Sequence, residues 1–319
     1  MKGINVPVDT GSKEIKVFSP EDFSSAFDEP ISERLKDRIK SLNIKYVGLT
    51  PKERDECIKA SIKLLLDIGE KNRSGGHRLG IWEKSWSKNL QAFKEKGKSG
   101  LLPDYFGNDD VVRWKQEWIK PLQGGFDYSV LSVILGWLFE KYAAGAGSIY
   151  EFACGTGHNL LYLREFNGTA KLYGLDWAEA SQEIIREMAA KGVAQNIYGR
   201  KFDFFNPDES FVLDDNSVVF TVGGLEQIGD RCEKFIAYLL KNKPKVCFHA
   251  EPIGELLDES RLEDYLAKEY YRRKNYLANF ISHLKLLEQN GKIKLQKVQR
   301  TYLGGNLFTE YMVVVWSPR

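Results

Sequence analysis

Glu151-Phe152-Ala153-Cys154-Gly155-Thr156-Gly157-His158-Asn159 is the stretch that decides the fold of this 319-residue chain. It follows a β-rich run, Ser148-Ile149-Tyr150, and opens a helical pattern over 160–166. Glycines between a strand and a helix let the backbone turn tightly and approach a ligand closely, and the helix start leaves N–H groups without partners. In a doubly wound sheet this is the ligand position, at the carboxyl end of the first strand. The dinucleotide fingerprint G-x-G-x-x-G needs a third glycine where this chain has Leu160, so that fingerprint fails. Glu151 would repel a pyrophosphate but suits a cationic ligand. S-adenosylmethionine (SAM), with a sulfonium and an ammonium, is such a ligand.

The next strand, Leu172-Tyr173-Gly174-Leu175-Asp176, ends in an acid placed to accept hydrogen bonds from ribose hydroxyls. Trp177 can pack on the adenine face, and in Phe202-Asp203-Phe204 the acid can accept from the adenine amino group. Strand and helix alternate from Gly147 onward: helices over 178–191, 231–240 and 261–289, strands over 197–202, 217–222 and 245–250, and a closing antiparallel hairpin at the sheet edge from 293–300 and 309–316. Alternation of this kind predicts a parallel sheet with helices on both faces. Upstream, residues 1–30 read as a loosely attached arm and 31–139 as helical. Thr50-Pro51-Lys52-Glu53 is a helix start, and Trp82, Trp86, Leu90 and Phe93 recur as one helix face.

E-x-A-C-G-T-G, Leu175-Asp176 and Asp203 together resemble the class I SAM-dependent methyltransferase family, over about residues 126–319. The resemblance implies an α/β fold, a doubly wound, mostly parallel seven-stranded sheet (Rossmann-like) with the closing hairpin and an N-terminal helical extension. It implies SAM as cofactor, held by Glu151, Ala153, Gly155, Thr156, Gly157, Asp176, Trp177, Asp203, Phe204 and Gly223. Ala153 stands where many members have glycine, but is small enough to leave the cofactor room. The expected organisation is an arm and helical cap or acceptor region over 1–125 and a SAM-binding domain over 126–319. His77-Arg78-Leu79-Gly80-Ile81-Trp82 through Trp86, and Leu101-Leu102-Pro103-Asp104-Tyr105, resemble bacterial sugar O-methyltransferases, which implies a small-molecule or glycan acceptor.

The acceptor side falls to the loops after the fourth and fifth strands. Gly223 and Gly224 allow close approach, and Glu226 or Gln227 can face an acceptor. His249 and Glu251, two positions apart, share one strand face. Methylation of oxygen removes a hydroxyl proton, so Glu226 and Glu251 are expected to hold the acceptor with His249 as base; His77 and Tyr302 are the alternatives. His249 reads equally well as a satisfied core histidine. N-methylation of a small molecule or nucleic acid, and SAM binding without catalysis, are the other readings. The N/D-P-P-Y/F tetrad of DNA amino-methylases is replaced by Gly223-Gly224-Leu225-Glu226.

Charge and composition exclude other classes. Lys plus Arg is 46 against 44 Asp plus Glu, too even a balance to argue for nucleic acid by itself. The basic run over 261–300 reads as a solvated face or as a rim attracting an anionic or carbohydrate acceptor. Asp214-Asp215-Asn216 precedes the fourth strand, at the wrong end of the sheet for a metal, and reads as a turn; no metal is expected. Cys57, Cys154, Cys232 and Cys247 form no zinc-like spacing and read as reduced thiols. With no leader pattern and no long apolar span, the expectation is a cytoplasmic protein that does not insert into membranes.

Overall fold

The computed structural model describes residues 6–11, 13–107 and 111–319. Its strands are β1 (Lys16–Val17), β2 (Lys45–Gly48), β3 (Val112–Trp114), β4 (Glu117–Pro121), β5 (Ser148–Phe152), β6 (Lys171–Asp176), β7 (Ile197–Lys201), β8 (Val218–Val222), β9 (Val246–Glu251), β10 (Ile293–Gly304) and β11 (Glu310–Pro318). The helices are α1 (Pro20–Phe27), α2 (Glu33–Leu42), α3 (Pro51–Asp67), α4 (Leu79–Lys96), α5 (Phe126–Leu138), α6 (His158–Leu163), α7 (Glu179–Ala190), α8 (Glu233–Asn242), α9 (Leu262–Lys274) and α10 (Phe280–Gln289).

All strands join one eleven-stranded sheet in the order β1-β2-β4-β3-β10-β11-β9-β8-β5-β6-β7. Only β7-β6-β5-β8-β9 run parallel; every other pairing is antiparallel. The sheet is thus mixed, where the sequence predicts a mostly parallel one of seven strands. The closing hairpin is also not an edge: β11 lies between β9 and β10, and Leu303 of β10 pairs with Trp114 of β3, which carries the sheet on into β4, β2 and β1. The N-terminal region is therefore helical only in part.

Alternation along the parallel strands feeds two cores. Ile149, Leu172, Val218, Phe220 and Phe248 face α1, α2, α4, α5, α6 and α7. Tyr150, Phe152, Leu175, Val219 and Cys247 face α3, α8, α9 and α10. With both faces covered, all five residues of β5 are buried. Thr50 caps α3 through a capping box with Glu53, as its sequence predicts. Residues read as a loose arm are tied in: Phe18 stacks on Trp114 at 3.7 Å, and Phe27 on Trp137 at 4.2 Å. The long helix expected over 261–289 breaks into α9 and α10, because Asn275 and Asn279 both take left-handed backbone (φ 54° and 59°). All four cysteines are buried and free. No helix among the described residues is long and apolar enough to cross a membrane.

Candidate functional site

The loop between β5 and α6 lies at the carboxyl ends of the parallel strands and borders a cleft of about 810 Å³, open in part to solvent. Asp176, the last residue of β6, holds the loop's shape: its Oδ2 accepts the Gly155 N–H at 2.9 Å and its Oδ1 the Ala178 N–H at 2.9 Å. Gly157 has φ 71°, and a Cβ there would sit 2.5 Å from Ile185 Cδ1 on α7. The left-handed backbone favours glycine there whatever the ligand, and Gly157, unlike Gly155, does not itself line the cleft. A Cβ on Gly155 would lie 2.9 Å from Trp86 Cζ2, so α4 rests directly on this loop. Glu83 fixes α4 there by accepting the N–H groups of Glu179 (2.7 Å) and Ala180 (3.0 Å) at the start of α7, a carboxylate on a helix N-terminus.

Of the residues read from the sequence as cofactor ligands, Ala153, Gly155, Thr156, Asp176, Trp177, Phe204 and Gly223 line the cleft together. Glu151 sits just beneath it, 1% exposed. Its Oε1 accepts from Asn159 Nδ2 at 2.8 Å, while Glu151 Oε2 and Asn159 Oδ1 are buried without partners. Burial pushes the Glu151 carboxyl up to about 8 and that of Asp176 up to about 6. Asp203 does not line the cleft; its carboxylate accepts from the Phe205 N–H (2.8 Å) and Asn206 Nδ2 (3.1 Å) and shapes a turn that turns Phe202, Phe204 and Phe205 to the wall.

The three expected catalytic residues are not brought into the cleft wall. His249 is fully buried, with Nδ1 2.9 Å from Thr221 Oγ1 and Nε2 accepting from Trp316 Nε1 at 3.0 Å. Burial pushes its imidazole down to about 3. With both nitrogens occupied this is a core histidine, the bland reading of its sequence position. Glu251 is fully buried; its carboxylate accepts the N–H groups of Gly224 (3.0 Å) and Glu226 (3.3 Å) and so fixes the loop after β8. Glu226 is half-buried beside the cleft, accepts from Gln227 Nε2 at 2.7 Å, and is raised to about 8 by burial and then by the charge of Glu251.

Gln227, read from the sequence as able to face an acceptor, lines the cleft, and residues that sequence reasoning did not assign to the cofactor or the chemistry complete the wall: Trp82, Trp86, Tyr105, Phe106 and His158. His158 is buried, pushed down to about 4, with Nδ1 3.0 Å from Thr156 Oγ1 and Nε2 without a partner. Half of the ten cations in the basic run over 261–300, Arg261, Lys268, Arg272, Arg273 and Arg300, form ion pairs among the described residues. Arg300 and Arg113 form a buried network with Asp264 and Glu310, and Arg272 pairs with Glu269 at 2.7 Å. Asp214 accepts from Ser148 Oγ at the opposite end of β5 from the cleft.

The surroundings match the parts of SAM. Orphaned acceptors on Glu151 and Asn159 match an ammonium, Asp176 presents a carboxylate at the wall, and Trp177, Phe202, Phe204 and Phe205 form an aromatic slot for a base. The residues present fit the group.

No protein-family profile and no curated protein matches the sequence. Solved structures with similar backbones include a SAM-dependent methyltransferase from Aquifex aeolicus, 17% identical over 58% of this chain and 88% of that one, with a TM-score of 0.41. Geranyl diphosphate methyltransferase in complex with GPP and sinefungin is 10% identical over 75% of this chain and 97% of that one, with a TM-score of 0.47. The [4+2]-cyclase SpnF is 10% identical over 74% of this chain and 94% of that one, with a TM-score of 0.48.

Proposed function

We propose that this chain is a SAM-dependent methyltransferase acting on an oxygen of a polar small molecule, with a sugar or glycan unit as the preferred acceptor class. The observation that carries the reading is the pair of buried, unpartnered acceptors, Glu151 Oε2 and Asn159 Oδ1, beneath a cleft at the carboxyl ends of the parallel strands. A buried acceptor left empty is costly, and an ammonium satisfies both. Glu151 and Asn159 would hold the amino-acid end of SAM, Asp176 the ribose, and Trp177 with Phe202, Phe204 and Phe205 the adenine. When bound, SAM supplies an electrophilic methyl group. The protein's part is to hold the acceptor in line with it, exclude water and take a proton. Glu226 is the base this reading favours, because its raised carboxyl is matched to proton transfer near neutral pH. Glu251 positions the loop that carries it.

A second reading, SAM binding without methyl transfer, draws on one observation: none of Glu226, His249 and Glu251 lines the cleft wall. The test has two stages. Calorimetric titration with SAM, S-adenosylhomocysteine (SAH) and NAD should give binding for the first two and none for NAD; NAD binding alone overturns the proposal. Transfer of labelled methyl to a panel of sugars, phenols, amines and nucleotides then separates the readings, and binding without transfer to any of them favours the second.

A further inference from the structure

At the Trp82–Gln227 end of the cleft, hydrogen-bond donors outnumber acceptors. Gln227 Oε1 receives Ser74 Oγ at 3.3 Å, Arg78 Nη1 at 3.2 Å and Trp82 Nε1 at 3.3 Å. An amide oxygen has two lone pairs, so three donors share two places and all three bonds are long. Arg78 Nε is buried with no partner. The donors are held in place: Ser74 N–H donates to the Lys274 carbonyl at 2.7 Å, and Asn275 Nδ2 to the Ser74 carbonyl at 3.1 Å, which docks this loop on the end of α9.

The charge is uncompensated in the same direction. Lys274, 2% exposed, donates from Nζ to the Asn72 carbonyl at 2.5 Å, and neither it nor Arg78 forms an ion pair among the described residues. Lys274 is pushed down to about 8 by burial and by Arg78, so it stays mostly protonated at pH 7. Glu226, the neighbouring acid, is raised to about 8 by burial and by Glu251, so it is mostly neutral at pH 7. Arg231 adds a third cation, 4.2 Å over the Phe205 ring. Trp82 and Trp86, stacked at 5.3 Å, offer a flat face for the body of a ligand, with the Arg78 guanidinium 5.2 Å above the Trp82 ring.

We propose that the acceptor is an anion, and that Trp82 and Gln227 at the wall, backed by Arg78 and Ser74 just behind them, receive its carboxylate or phosphate at this end of the cleft. The proposal rests on the methyltransferase reading and specifies its substrate class. An anionic oxygen takes the donors now crowded on Gln227, gives Arg78 Nε a partner, and meets a guanidinium suited to bidentate recognition. Neutral sugars offer no such charge.

The test uses the full-length protein saturated with SAH. Calorimetry measures binding of D-glucuronate, glucose 1-phosphate and 4-hydroxybenzoate, with methyl glucoside and phenol as neutral counterparts. At least one anion should bind ten-fold or more tighter than its neutral counterpart, and more weakly as salt is raised. Arg78→Gln should erase that preference while keeping wild-type melting temperature and SAH affinity, and Arg78→Lys should restore part of it. The carboxylate and phosphate arms identify which anion the site takes. Equal affinity for anionic and neutral probes, no binding of any anion, or a preference unchanged in Arg78→Gln overturns the proposal alone. Failure of the wild-type protein to bind SAH removes the methyltransferase reading and the proposal with it.

Discussion

Replacing Glu151 by glutamine should stabilise the ligand-free protein near neutral pH and weaken its hold on SAM. The carboxyl is 1% exposed and burial raises it from 4.5 to about 8. Its proton is therefore kept on folding at pH values where the unfolded chain has lost it. An acid raised in this way costs nothing below 4.5, costs more with each pH unit up to about 8, and is level above that. At 1.36 kcal/mol per pH unit, pH 7 lies about 2.5 units above the unfolded value, and the cost comes to about 3 kcal/mol. Glutamine has no proton to take up and keeps an oxygen for Asn159. Urea denaturation of both proteins at pH 5, 6, 7 and 8 measures this directly: the other buried acids are common to both, so the difference belongs to residue 151. The variant's advantage should be small at pH 5 and grow to a few kcal/mol by pH 8. In calorimetry the wild type should release a proton as the SAM ammonium lets Glu151 ionise, giving a heat that depends on the buffer, and the variant should not. A stability difference that stays flat from pH 5 to 8 would refute the assignment of Glu151 as a buried, strained acid awaiting a cation.

Asp176→Ala should weaken SAM and SAH by about 1.5–3 kcal/mol, the range for charge-assisted hydrogen bonds, and unchanged calorimetric affinity in a folded variant sinks its ribose role. Ala153 holds left-handed backbone at φ 59°, so Ala153→Gly should raise stability by about 1 kcal/mol in denaturant titrations; a loss would show that the alanine methyl is packed to advantage. In transfer assays at saturating SAM, Glu226→Gln should slow turnover and remove a rise in rate with pH centred near 8, the value to which its carboxyl is raised. His249→Ala should keep that pH profile but cost about 1–3 kcal/mol of stability, because it strands the Trp316 N–H; loss of the profile in this variant instead returns the base to His249.

The parallel half of the sheet was legible because its signals are local. A strand, a glycine-rich turn and a helix follow one another within 148–163, and β6 and β7 repeat the alternation. The N-terminal strands were not, because β1, β3 and β4 span two, three and five residues, too few for a period of two to separate from helix. Their place is set by distant partners: β3 joins the sheet through Trp114 opposite Leu303. Phe18, Phe23 and Phe27 lie in a polar stretch, and distant rings make them core: Trp114, Tyr46 and Phe126 around Phe18, Trp114 also against Phe23, and Trp137 against Phe27. The break between α9 and α10 did leave a trace. Arg272-Arg273-Lys274 followed by Asn275 is a helix C-terminus, but apolar spacing on both sides hides it.

At the site, the same contrast separates cofactor from catalysis. The positions of the loop and of Asp176 follow from the chain's order, since a residue at the end of β6 lies beside the loop after β5 whatever else the protein does. Whether a side chain one or two residues back from a strand end reaches the cleft depends on what covers that face. His249 points at α10, where Phe280 meets its ring edge-on at 5.2 Å, and β11 brings Trp316 against its Nε2. Glu251, the last residue of β9, gives both oxygens to backbone N–H groups. A carboxylate so engaged serves better as the clamp of the Gly224–Glu226 segment than as a proton acceptor, since protonating it would weaken the bonds that set the loop. The clamp also adds to the raised value of Glu226: burial raises it most, and the Glu251 charge that fixes its loop opposes its ionisation further. Two acids that sequence reasoning had placed side by side as acceptor ligands thus differ in the structure: Glu251 is engaged by backbone N–H groups, and Glu226 accepts from Gln227 Nε2.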